Sequence, residues 1–182
     1  FSPTIIGYYA MALIVITLPS KFLGAAITQV FYQKTCVEKE NIASLKNVVN
    51  AVHSRLVSLG IFMCIIVMIL GPELFSFVLG PQWTDAGRFA QIIAPLQFVV
   101  FLSFPLSSIF NVMDKQNVNL WFSLATLTSK ILLFTLLFYF GGLYTGPILV
   151  LVLLSITGII SWSILNMYIL KISGVSISGA IQ

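Results

Sequence analysis

Charge is what this chain has least of. Charged residues make up 8% of its 182 residues and histidine occurs once, whereas soluble domains carry about a quarter charged residues. That scarcity excludes an ordinary soluble globular domain, and a mean hydropathy of +1.06 points to a polytopic membrane protein. Cysteine is almost as rare. Cys36 lies in a polar connection and Cys64 in the middle of an apolar run, a placement that predicts neither a disulfide nor a metal site. Nucleotide-binding loops and nucleophile–base arrangements are missing, so neither ATP use nor hydrolysis is expected, and no catalytic residue is assigned. The cations are spread between apolar runs and are not interleaved with aromatics, which argues against nucleic acid as a partner. No cleavable signal opens the chain and Phe1 is not an initiator methionine, so the expectation is the C-terminal piece of a longer protein.

What is present is a series of apolar runs of membrane length. The most informative is Leu79 to Gln116: a polar turn at Gly80-Pro81-Gln82-Trp83, then no charged side chain from Phe89 to Met113, then Asp114, Lys115 and Gln116. A run of about 25 residues crosses a hydrocarbon core of roughly 30 Å. Pro95, Pro105, Gln91, Gln97, Ser103, Ser107, Ser108 and Asn111 interrupt it, so this span is expected to face other helices or a wet cavity and not lipid all round.

Taken in order, the chain predicts an extended start at Phe1 to Ile6 and five spans at about 7–32, 56–79, 89–113, 118–140 and 147–170. Pro19 is expected to break the first span, and Gly71-Pro72-Glu73 to stop or kink the second. Between these two spans, residues 34–55 contain Glu38, Lys39, Glu40, Lys46, His53 and Arg55, yet Ile42, Leu45, Val49, Val52, Leu56 and Leu59 keep a helical period. The expectation is a cytoplasmic amphipathic helix lying in the membrane interface and running into the second span, with His53 solvated. Gly141 to Pro147 reads as a tight turn. The class is therefore all-α membrane protein.

Two spans carry a buried lysine in a polar stripe. Thr17, Lys21, Gly24 and Thr28 fall at i, i+4, i+7 and i+11, with Gln29 beside them; Asn119, Ser123, Thr126 and Lys130 repeat the spacing. A charge in mid-membrane costs about 2.5–3.5 kcal/mol on insertion scales, which makes Lys21 and Lys130 candidates for function. Lys34, Lys39, Lys46, Arg55, Lys115 and Lys171 all fall on one side of the membrane and Arg88 on the other. The positive-inside rule then puts the C-terminus in the cytoplasm.

The run Gly7-Tyr8-Tyr9-Ala10, Leu18-Pro19-Ser20, Gln29-Val30-Phe31-Tyr32, Leu79-Gly80, Trp83, Ala86-Gly87, Ala94-Pro95, Pro105-Leu106-Ser107-Ser108 and Lys115-Gln116 resembles the polysaccharide-transporter family. These are bacterial flippases for lipid-linked oligosaccharides, related to multidrug and toxin extrusion transporters. The resemblance implies the C-terminal lobe of a twelve-helix transporter in the bacterial cytoplasmic (inner) membrane. The substrate it implies is a polyprenyl-diphosphate sugar destined for capsule, O-antigen or exopolysaccharide. It also implies that the first span lines a central cavity. Lys21 would then meet the diphosphate, with Thr17, Thr28 and Gln29 as sugar or water partners, and Lys130 a second cavity residue. Arg88, Asp114 and Lys115 are candidates for an exit or gate, set against a plain Asp85–Arg88 surface pair and a plain cytoplasmic turn. Membrane lipid, a glycan polymerase and chain-length proteins are the implied partners; no cofactor is implied, and the coupling ion, proton or sodium, stays open. Multidrug or cation extrusion by the same fold would call for carboxylates inside the membrane, where only Glu73 is available. A glycan polymerase or ligase would call for a long external catalytic loop, and the outward connections here are short.

Overall fold

A computed structural model of the chain describes residues 2–38, 41–141 and 146–175. The expectations for Phe1, Lys39, Glu40 and the turn at 142–145 lie outside the described residues. The elements are α1 (Pro3–Val37), α2 (Ile42–Leu79), a 3₁₀ turn (Pro81–Trp83), α3 (Thr84–Leu106), α4 (Ile109–Val112), α5 (Gln116–Gly141) and α6 (Pro147–Ile172). The described chain is all-helical, and five of its helices are long and apolar enough to cross a membrane.

The first two helices are longer than the apolar runs inside them. Ser2 caps α1, its Oγ accepting from the Thr4 N–H at 3.2 Å, and Pro3 occupies the first turn, where its missing N–H removes no bond. Residues expected to be extended therefore already belong to the helix. Pro19 does not break it either: α1 runs on for 35 residues and takes in Lys34. With no water in the bilayer to receive backbone groups, keeping the remaining ladder outweighs the single bond lost at a proline.

α2 runs into the second span as expected, and what it corrects is the interfacial placement of the amphipathic segment. The Asn41 side chain accepts from the Ala43 and Ser44 N–H groups, and from there one helix of 38 residues runs through both the amphipathic segment and the second span, past Gly71-Pro72, to Leu79. Its apolar stripe does not lie on lipid. Leu45, Val49 and Leu56 are buried in a core with Phe31 of α1, Leu106 of α3, Ile109 and Phe110 of α4 and Ile169 of α6. His53, expected to be solvated, is 7% exposed, while Leu59, on the expected stripe, is 43% exposed. The period was right, but protein satisfies it in place of the membrane interface.

α3 is the hub, packing against α2, α1 and α6. Half of its most apolar stretch is buried, against 11% for α1 and for α2 and none for α5, as its prolines and amides foretold. The third span is not continuous. At Ser107 and Ser108 the helix stops, and their hydroxyls donate to Phe104 O (2.7 Å) and Pro105 O (2.8 Å), carbonyls of its last turn. α4 supplies one more turn before Asp114, the one non-glycine residue with positive φ (55°) among the described residues. A second core, around Ala12, Phe75, Ala86, Phe89 and Ile93, closes the end that carries Arg88, where Trp83 meets Tyr8 edge-on at 6.1 Å.

Candidate functional site

The polar stripe of α1 survives in three dimensions, divided between a packed and an open side. Gly24 is buried, with Pro105 Cγ 3.9 Å from where its Cβ would be. Thr17 donates to Leu13 O at 2.7 Å and Thr28 to Gly24 O at 2.6 Å, so both hydroxyl protons are used within the helix and each oxygen keeps capacity to accept. Lys21, near the midpoint of α1, is exposed, as is Gln29. Among the described residues no acid pairs with Lys21. The arrangement is a free ammonium, with three donors, on a helix flank beside two hydroxyl acceptors, which suits an anionic or hydroxyl-bearing ligand.

The other candidates are not gathered around it. In α5 the pattern repeats, Ser123 donating to Asn119 O at 2.9 Å and Thr126 to Phe122 O at 2.8 Å, with Lys130 exposed. But α5 leans on α6 and α4, whereas α1 packs chiefly on α3, and neither lysine lines the cavity between α1, α2 and α3 or the groove on α5. Arg88 Nη1 lies 3.0 Å from Asp85 Oδ1, one turn back on α3, in an exposed pair of the kind that contributes little. Asp114 and Lys115 form the exposed turn between α4 and α5, where the Lys115 N–H donates to Phe110 O at 2.8 Å.

A cavity of about 290 Å³ opens between α1, α2 and α3. Its wall is apolar, with Phe75, Phe98 and Phe101 prominent and Ser20 and Gln97 the main polar groups; Lys21, the residue after Ser20, does not line it.

Three polar or backbone contacts between helices were not read from the sequence. Gln91 Nε2 donates to Met68 O of α2 at 2.8 Å. Gly71 and Gly87 bring the α2 and α3 backbones together, such that a Cβ on Gly87 would lie 2.5 Å from Gly71 O. Buried Asn166 of α6 donates to Ser103 Oγ at 3.2 Å, and Ser103 Oγ also lies 2.9 Å from Val99 O and 3.2 Å from Trp162 O. The first had a signal: Pro72 necessarily frees the carbonyl four residues earlier, Met68 O, and an amide side chain in the next span is the natural donor.

Compared with known proteins, residues 1–88 match the model of a family described as polysaccharide biosynthesis protein. That stretch is α1, α2, the 3₁₀ turn and the first turn of α3, and it includes Lys21 with its stripe. Neither a curated protein nor a solved structure gives a significant match.

Proposed function

We propose that this chain is part of a multi-pass transporter that flips a polyprenyl-diphosphate-linked oligosaccharide across the bacterial cytoplasmic membrane during surface polysaccharide biosynthesis. The observation that carries the reading is Lys21: an exposed ammonium with no partner among the described residues, near the midpoint of a membrane-length helix, inside the stretch that is similar to polysaccharide biosynthesis proteins. A lone charge at that depth is costly unless a ligand, water or another part of the protein meets it. A diphosphate supplies the complementary charge, and Thr17 and Thr28, whose oxygens still accept, suit sugar hydroxyls or water beside it. The polyprenyl tail stays in lipid while the head group passes. The chain acts as a carrier and not as an enzyme, with no cofactor, in partnership with membrane lipid and with the glycan polymerase and chain-length proteins that use the flipped unit.

The test is complementation of a flippase-deficient bacterium by the full-length protein, wild type against Lys21→Ala, with surface glycan scored and membrane expression checked by blot. Loss of glycan at normal expression is the expected result. Unchanged glycan would reduce Lys21 to a packing residue, and a wild type that restores glycan in no acceptor strain would redirect attention to drug extrusion.

A further inference from the structure

We infer that Gln91 is a positioning residue that ties the proline site of α2 to α3, so that the α2–α3 hairpin moves as one body during transport; the inference rests on the transporter reading above. Pro72 lacks an N–H, which leaves Met68 O without a partner in its own helix. No water in the hydrocarbon region can take that partner's place. Gln91 Nε2 takes it, at 2.8 Å, from across the helix interface.

The tie sits one turn from a close backbone approach, where a Cβ would have less room than at any other described glycine. A Cβ on Gly87 would lie 2.5 Å from Gly71 O and 2.6 Å from Pro72 Cα, and a Cβ on Gly71 would lie 2.8 Å from both Gly87 O and Gln91 Cγ. Sliding α3 along α2 by a turn would bring Ala90, Gln91, Trp83 or Thr84 to the place of Gly87, and each carries a Cβ for which there is no room. Farther along, Gly60 of α2 faces the Phe98 ring in the same antiparallel pairing. The register is therefore locked, and the proline, ordinarily a soft point in a membrane helix, has its freed carbonyl and its backbone held by the neighbouring helix. At the tip of the hairpin Trp83 packs on Tyr8, and near the middle of α1 Pro105 packs on Gly24, so α1 with Lys21 follows α3 as well.

The test uses the full-length protein as wild type, Gln91→Leu, Pro72→Ala and the double variant, with Tm in detergent and surface glycan both measured. Gln91→Leu strands the Met68 carbonyl, and a lower Tm with loss of glycan is expected. Pro72→Ala returns an N–H to the α2 ladder, so the double variant should recover the wild-type Tm. It still lacks the bond between helices, and its glycan export should stay at least tenfold down. If export returns together with Tm, Gln91 merely covers a carbonyl and the inference is overturned. It is also overturned if Gln91→Leu exports like wild type. Failure of the transporter reading looks different, because the wild type itself then exports nothing and the inference falls with it.

Discussion

Single residues in this protein divide by whether their neighbours can yield. Gly87 faces backbone atoms, which cannot rotate away, so Gly87→Ala is expected to destabilise by about 1–3 kcal/mol, as overpacking does. Gly7 has nothing within 4 Å of its missing Cβ, and Gly7→Ala should stabilise α1 by about 0.5–1 kcal/mol. Thermal unfolding of the purified variants in one detergent measures both, and equal effects would contradict the backbone contact. Lys21 and Lys130 are exposed with no partner among the described residues, so Lys21→Ala and Lys130→Ala break no contact there and should not lower stability. A Tm measurement alongside the glycan assay thus separates loss of function from loss of fold. At this scale the sequence exposed lone polar groups well and pairs poorly. Lys21 stands out in an apolar run by itself, but Gln91 acquires meaning only once Pro72 is brought beside it, and Ser103 only beside Asn166.

Whole elements were legible in kind and less so at their ends. Apolar length and period found all five long helices, because both are properties of consecutive residues. They could not say that the apolar stripe of residues 42–55 packs on other helices, since an amphipathic period is satisfied equally by a membrane interface or by a protein core. At 1.5 Å per residue α2 is about 57 Å long against a hydrocarbon core of about 30 Å, so its first turns stand clear of the bilayer. Leu45, which is 3% exposed, is then a core residue, and Leu45→Ala should destabilise the detergent-solubilised protein by about 2–4 kcal/mol. An unchanged Tm would return the segment to the membrane interface. The break at Ser107 and Ser108 escaped the same reading, because two hydroxyls that end a helix look in sequence like two hydroxyls within one.

For the molecule as a whole, α1, α3 and α6 run parallel and α2 opposes α3, so Lys34, Lys46, Lys115 and Lys171 collect toward one end and Arg88 toward the other. By the positive-inside rule we propose that the lysine-rich end faces the cytoplasm. Alkaline phosphatase inserted after Gly146 should therefore be active, and a fluorescent protein fused beyond Val175 should glow; the reverse pattern would invert the topology. The hub arrangement also bears on the order in which the chain comes off the ribosome. α3 enters the membrane well before α6, and its Ser103 must wait for Asn166 and Trp162 to be made. During that interval Ser103 can hold Val99 O of its own helix, at 2.9 Å, so the hydroxyl that later joins two helices is never left bare in lipid while its partner is being synthesised.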